Sequence, residues 1–408
     1  MLLTSLTEPG HGWRIWQEAE RYLGGGTRTY SRYADDSQIA AQFHPQWGQP
    51  SFEVPTFWVR HGDAGEYLSG RLPSALHAHY RDGDRFLLPV HPEALREPAV
   101  AGAVRGCPGG PPLQVVPSAN ARTVFVLGRA GDRMPPHFVK LHYPFRLSRF
   151  TRRLRRPVIA LQLWVAEELA AIGAPLLPEV AGGVIGTDPT EAWGFVLREA
   201  EVRDAPPLPY TVPLFALYGH DIRDERQPTL LEQLITHSGE APQDWVTHRL
   251  IAPMVALWTD TLLRTGCAIE PHGQNTLLSL SADLRTTRIG YRDCAVYVDP
   301  QLRRWRGLTR PLPPRNVISQ DVVKPREQVF SLVYDAFMGH HALAFVARLL
   351  QQRFGVAPAN LHKYAHEVFT SAALGGHLLP ETVHYYDDAL HADGRWRLVD
   401  TGQPPQWR

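Results

Sequence analysis

A histidine, an amide pair and a carboxylate stand in a pattern that can hold a cation against a phosphate chain. The residues are His272-Gly273-Gln274-Asn275, followed about twenty positions on by Arg292-Asp293-Cys294, with apolar residues (Ile269; Leu277, Leu278; Ile289, Tyr291) on either side. That is how a loop followed by two short strands is written, and such a loop aims polar groups into a cleft. A hard divalent cation takes oxygen ligands, and Asn275 and Asp293 supply an amide and a carboxylate oxygen of the kind that holds Mg2+ beside nucleotide phosphates. The competing reading is that His272, Gln274 and Asn275 only tie down a turn.

A second group lies upstream. Residues 115–127 read as a small polar turn entering a strand, and 138–143 as a second strand, together a hairpin. The turn offers Ser118, Asn120, Arg122 and Thr123 and the second strand offers Lys140, a set able to meet phosphate oxygens through hydroxyls, a planar fork and a point charge. Lys140 stands out because only Lys140, Lys324 and Lys363 among 42 basic residues are lysine. The bland alternative is an exposed hairpin with scattered bases. Next comes 146–156, with six arginines in eleven residues, Arg152 among them. It lacks the interleaved aromatics of a nucleic-acid patch and reads as a local anion site. His91 closes an apolar strand and is held extended by Pro92, so it either faces a cleft or caps the strand end. Arg198-Glu199 ends another strand and reads as a solvated ion pair.

These residues need elements to position them. Helical spacing of Trp13, Trp16, Ala19 and Leu23 predicts a first helix over 11–23 that serves packing. Pro157 opens a second helix that ends at Gly173; others are expected over 244–265, 327–354 and 360–373. Residues 183–186 and 192–199 form a strand pair, 98–112 a Gly/Pro-rich surface loop, and Pro206, Pro207, Pro209 and Pro213 mark a boundary near 205. Asp393-Gly394 predicts a hairpin-like tail.

Composition sets the outer limits. A chain of 408 residues that is 44% hydrophobic can bury a sizeable core. Its 42 basic and 41 acidic residues leave a formal charge of +1, so neither nucleic acid nor membrane is drawn in by an overall field. Three cysteines at irregular spacing predict a reducing compartment, and the absence of a secretory or membrane-length apolar run predicts a cytoplasmic location.

Taken in order, Val90-His91-Pro92, Ser118-Ala119-Asn120-Ala121-Arg122-Thr123, Lys140 with Arg152 twelve residues on, Leu197-Arg198-Glu199, His272-Gly273-Gln274-Asn275 and Arg292-Asp293 resemble one family. It is the ATP-dependent, NRPS-independent siderophore synthetases of aerobactin-synthetase type. The resemblance implies an α+β fold shaped as a cupped hand of thumb, fingers and palm, with mixed sheets, a helical C-terminal region and a palm distantly similar to that of protein kinases. Residues 1–85 would be a reduced thumb, 86–205 the fingers with the phosphate-binding hairpin, and 206–408 the palm. Only His44-Pro45 stands as a counterpart of the family's long N-terminal element. The implied chemistry is adenylation of a carboxylic acid, citrate-like or related, with transfer to an amine or alcohol, using ATP and Mg2+. By position, Ser118, Asn120, Arg122, Thr123, Lys140, His272, Gln274, Asn275 and Asp293 would bind nucleotide, and Asn275 and Asp293 the metal. Lys140, Arg122, Arg152 and His272 would act in catalysis, and His91, Arg152 and Arg198 would meet substrate. The expected partners are small molecules, with a homodimer allowed. Two other readings remain: a small-molecule phosphotransferase, because His272, Asn275 and Asp293 also resemble a kinase catalytic loop and its metal-binding aspartate, and a non-catalytic partner protein.

Overall fold

The computed structural model describes Leu3 and residues 12–27, 38–62, 64–147, 150–203, 208–312, 325–372, 378–387 and 397–408. The strands are β1 (Phe52–Arg60), β2 (Gly65–Ser69), β3 (Arg81–Asp82), β4 (Arg85–Pro89), β5 (Gly109–Pro117), β6 (Thr123–Arg129), β7 (His137–Leu141), β8 (Arg146–Leu147), β9 (Phe150–Thr151), β10 (Glu179–Ile185) and β11 (Trp193–Glu199). Nine of them, all but β8 and β9, form one sheet among the described residues, in the order β2-β10-β11-β7-β6-β5-β1-β4-β3. Every neighbouring pair in it is antiparallel. The sheet curls on itself: a Cβ added at Gly183 of β10 would come within 2.6 Å of the Phe86 ring of β4, although five strands lie between them. The concave side is filled by Val54, Phe86, Leu88, Val115, Val124, Val139, Phe195 and Leu197.

Strands β1 and β2, which precede residue 85, pair inside the same sheet, Thr56–Arg60 with β4 and Gly65–Ser69 with β10. The stretch 98–112 is not a loop throughout: Pro98–Val104 is a helix that buries Val100 and Val104 on one face, and β5 begins at Gly109.

A three-stranded sheet, β12 (Tyr210–Pro213), β14 (Thr276–Leu280) and β15 (Thr287–Tyr291), carries the other half. The short β13 (Cys267–Ala268) and β16 (Tyr297–Val298) pair beside it. Helices Pro242–Val246, Ala252–Thr265, Arg326–Phe354 and Pro358–Ser371 enclose it near the expected positions. Arg326–Phe354 is long and apolar enough to cross a membrane by composition, and it is mostly buried inside the protein. Helix Arg156–Ala171 joins the two halves, giving Ile159 and Leu163 to the outer face of the large sheet and Leu161, Val165 and Leu169 to the helical core. The proline boundary at 205 and the tail turn at Asp393-Gly394 lie outside the described residues; β17 (His384–Tyr386) and β18 (Leu398–Asp400) do pair antiparallel.

The segment Arg397–Arg408 returns to this core. Arg408 forks onto Asp335 at 2.9 and 3.2 Å, and the Ser331 hydroxyl donates to the same carboxylate at 2.7 Å. Asp335 is only 1% exposed, so Arg408→Met leaves a buried carboxylate without its counter-charge. The expected loss is about 3 kcal/mol in urea unfolding, and a change below about 1 kcal/mol contradicts the assignment.

Candidate active site

The turn between β5 and β6 is held by its own side chains. Ser118 Oγ accepts from the Asn120 amide at 3.2 Å and donates to the Asn120 carbonyl at 3.0 Å, while Asn120 Oδ1 accepts from the Arg122 amide at 3.1 Å. Such short polar side chains fold a backbone locally, so Ser118 and Asn120 shape the turn. What the turn presents is Arg122, whose Nη1 donates to the Arg152 carbonyl at 3.2 Å; its Nε is buried with no hydrogen-bond partner among the described residues. Thr123 starts β6 directly opposite Lys140 of β7.

Lys140 is 2% exposed. Its ammonium donates to Asp293 Oδ1 at 2.7 Å and to Gln162 Oε1 of the bridging helix at 3.0 Å. One strand over, Arg198 Nη2 donates to Glu179 Oε1 at 2.7 Å and lies 3.9 Å from Asp293 Oδ2. Asp293 reaches this place because residues 175–179 stitch the sheets together. The Leu177 amide donates to the Tyr291 carbonyl at 2.9 Å, the Tyr291 amide to the Pro175 carbonyl at 2.9 Å, and the Cys294 amide to Glu179 Oε2 at 3.0 Å. Asp293 has a φ of 79°, a left-handed backbone that a non-glycine residue adopts at some cost and that is concentrated at functional sites.

The charges do not cancel. Arg122, Lys140, Arg152 and Arg198 interact with Asp293 and Glu179, and Glu270 joins on the Arg152 side. Burial lowers Lys140 in spite of Asp293, and burial with neighbouring Arg152 pushes Arg122 down to about 10, which leaves Arg122 charged at neutral pH. Burial raises the Asp293 carboxyl, but Lys140 and Arg198 outweigh it and hold it far below the usual carboxylate range. Against the four cations stand Asp293, Glu179 and Glu270, so the cluster keeps a net positive charge, which is what a polyanionic ligand needs.

The histidine loop closes the other side. His272 Nδ1 accepts from the Gln274 amide at 3.2 Å, and its carbonyl accepts from the amides of Asn275 and Thr276, both at 3.0 Å. The loop is thus a tied turn, as the competing reading had it, and it also borders the charged cluster: Asp293, Arg292 and Arg152 act on the His272 ring, which burial holds down at about 4 and so neutral. Gly273 is required, because a Cβ there would lie 2.0 Å from the Tyr218 hydroxyl. Asn275 Nδ2 donates to the Glu270 carbonyl at 3.3 Å, which turns its Oδ1 the other way, and its backbone carbonyl accepts from the Arg292 amide at 2.9 Å. Asn275 and Asp293 therefore sit at paired ends of β14 and β15. An amide oxygen and a carboxylate oxygen fit a hard cation that keeps water and phosphate as its other ligands. No cluster of three or more His, Cys, Asp and Glu occurs among the described residues.

Other expected site residues lie elsewhere or act differently. His91 is fully buried, caged by Phe43, Phe52 and Tyr143 at ring distances of 5.0, 5.7 and 5.1 Å, and its Nδ1 accepts from the Glu93 amide at 3.1 Å. It is packed as a core histidine. Burial lowers it to about 3 from 6.5, so below pH 6.5 the unfolded chain takes up a proton that the folded chain refuses. Its contribution is full above pH 6.5 and is lost on acidification at up to about 1.4 kcal/mol per pH unit. His91→Phe should flatten the fall of stability between pH 6.5 and 4 by about one proton's worth, read from urea midpoints.

Arg198 is not a solvated ion pair with Glu199; it is 3% exposed and paired with Glu179, while Glu199 pairs with Arg203 at 2.7 Å. In the arginine-rich segment, Arg152 faces the cluster, whereas Arg155 pairs with Glu191 and Arg156 with Glu66. Gln274 contributes its backbone carbonyl, which accepts from Arg292 Nε at 2.8 Å. Sequence reading missed Gln162, Glu179 and Glu20. A lone carboxylate opening the otherwise apolar strand Glu-Val-Ala-Gly-Gly-Val-Ile was a legible signal for Glu179. A cavity of about 400 Å³, lined by Trp16, Phe125, Val202, Thr211 and Arg288 among others, includes none of the cluster residues.

A model of the "Ferric iron reductase FhuF-like transporter" family matches residues 243–377, which include the histidine loop and Asp293. No curated protein matches the sequence. Among solved structures, ATP-bound aerobactin synthetase IucA from a hypervirulent pathotype of Klebsiella pneumoniae is similar at a TM-score of 0.66 and 15% identity, covering 93% of this chain and 75% of that one. The petrobactin biosynthesis protein AsbB from Bacillus anthracis str. Sterne gives 0.63 and 14%, covering 91% and 74%. Aerobactin synthetase IucC from the same Klebsiella pathotype gives 0.59 and 18%, covering 88% and 74%. The chain has the α+β fold of these siderophore synthetases, as its resemblance to them predicted.

Proposed function

We propose that this chain, built on the fold of the aerobactin and petrobactin synthetases, is an ATP-dependent ligase that adenylates a carboxylic acid and passes the acyl group to an amine or alcohol. The observation that carries this reading is the convergence of Arg122, Lys140, Arg152 and Arg198 on Asp293 where the two sheets meet. A carboxylate oxygen attacking the α-phosphorus of ATP is a meeting of anions. Fixed positive charge in a buried site lowers that barrier, and positioning supplies much of the rest. In the first step the acyl O–P bond forms, the bond to the β-phosphate oxygen breaks, and pyrophosphate leaves. In the second, the nucleophile attacks the acyl carbon, AMP departs and the nucleophile loses a proton. Arg122 and Lys140 would hold phosphate oxygens, Arg152 the phosphates or the acid, and neutral His272, whose Nδ1 accepts from the Gln274 amide, would donate a hydrogen bond from Nε2 at the nucleotide. Asn275 and Asp293 would hold Mg2+, which screens phosphate charge when bound. A citrate-like polyacid suits a site with net positive charge.

The test is pyrophosphate release with ATP, citrate and a panel of acids and amines. Acid-dependent pyrophosphate and AMP are expected, with loss of both in Lys140→Ala and His272→Ala. The order of His272, Asn275 and Asp293 also favours a second reading, a phosphotransferase. ADP with a phosphorylated product would decide for it, and tight acid binding without nucleotide consumption would remove both.

A further inference from the structure

The charged cluster draws on two sheets, and one side chain from neither of them joins its two rims. Glu20 lies in the wide helical turn Glu18–Tyr22 that continues helix Gly12–Gln17, and it is 1% exposed. Its Oε2 accepts from the Ala119 amide, inside the β5–β6 turn, at 3.1 Å. Its Oε1 accepts from Arg292 Nη1, and Arg292 Nε in turn donates to the Gln274 carbonyl at 2.8 Å. Arg292 precedes Asp293 in the chain and is itself 4% exposed, with its guanidinium 5.7 Å from the Trp16 ring centroid. The helix is anchored beyond the site as well: Arg223 forks onto Glu18, and the Ile222 amide donates to the Tyr22 carbonyl at 3.1 Å.

We propose that Glu20 is a positioning residue: one buried carboxylate ties the turn that presents Arg122 to the arginine that holds Gln274 and precedes Asp293, and so sets the spacing of the two rims of the nucleotide site. The inference rests on the nucleotide-binding reading above. A carboxylate has two acceptor oxygens and no donor, which matches an amide N–H on one side and a guanidinium on the other. Glutamine has the same length but turns one of those acceptors into a donor. Alanine removes both. The gap between the rims is then free to change, and a displacement of about 1 Å at such a site can cost on the order of a hundredfold.

The experiment measures ATP·Mg2+ affinity by calorimetry, KM for ATP and for the acid, and the thermal midpoint, in the full chain and in Glu20→Gln. Expected is a rise in ATP Kd and KM of about tenfold, with the acid KM nearly unchanged. Adding Arg292→Lys to Glu20→Gln should make matters little worse than the poorer single variant, because both break one chain of contacts. If Glu20→Gln binds ATP as tightly as the parent and only its thermal midpoint falls, Glu20 is a stabilising residue and the proposal is overturned. If Glu20→Gln does not fold, Arg292→Lys decides: a selective rise in ATP KM supports the link, and an unchanged one removes it. A parent protein that binds no nucleotide overturns the functional reading, a result distinct from a parent that binds and a variant that binds equally.

Discussion

Lys140→Met will lower ATP-dependent turnover by about a hundred- to a thousandfold while the protein stays folded. The side chain is 2% exposed and spends its ammonium on Asp293 at 2.7 Å and Gln162 at 3.0 Å. Methionine matches its length and is content in a buried slot, so the loss is of charge and not of packing. What disappears is a fixed cation beside the position where phosphate charge would develop, and Asp293 is left with Arg198 at 3.9 Å. Lys140→Arg is expected to fail as well. A planar fork cannot take the place of a point charge held between two oxygens in a closed slot, which accounts for a lysine here in a chain that writes nearly all its positive charge as arginine. Pyrophosphate release at saturating ATP, with a thermal melt on the same preparation, checks both variants; retention of more than about a tenth of the parent rate in Lys140→Met would remove Lys140 from the centre.

Much of this arrangement was legible in local text. Helix Arg156–Ala171 follows from a proline at its start and apolar residues at i, i+4 spacing, and Arg326–Phe354 from the same periodicity. Residue types and order singled out Lys140, the His272-to-Asn275 loop and Asp293, three pieces distant in sequence that the fold brings into one neighbourhood. Destinations were not legible. His91 was read as closing the strand, which ends two residues earlier at Pro89, and its cage comes from Phe43, Phe52 and Tyr143, which no local pattern announces. Glu20 looked like an ordinary polar residue on a packing helix. Its two partners, Ala119 and Arg292, lie 99 and 272 residues away, and a buried charge is recognisable only with its partner in view. The same limit applies to the first 85 residues: β1 and β2 have ordinary strand composition, and which sheet receives them is decided by register with β4, β5 and β10.

The largest loss of stability is expected from Glu179→Ala, about 3 to 5 kcal/mol. Glu179 is 0% exposed, and its two oxygens serve Arg198 at 2.7 Å and the Cys294 amide at 3.0 Å. Removing it leaves a buried guanidinium with only Asp293, at 3.9 Å, as its counter-charge and a backbone N–H that has lost its acceptor, and each carries its own desolvation penalty. A double replacement, Glu179→Met with Arg198→Met, should recover much of that loss, because deleting both members of a buried pair avoids the orphaned charge. The recovery should not extend to activity. Glu179 grips the amide immediately after Asp293, whose left-handed backbone at φ 79° needs outside support, and Arg198 is one of the cations, with Lys140 and Arg122, that keep that carboxyl ionised. The double variant is thus expected to approach the parent in urea midpoint and still release pyrophosphate slowly, separating what the pair does for folding from what it does for Asp293. If Glu179→Ala costs less than about 1 kcal/mol, or if the stable double variant turns over at the parent rate, the pair does not hold the aspartate in place.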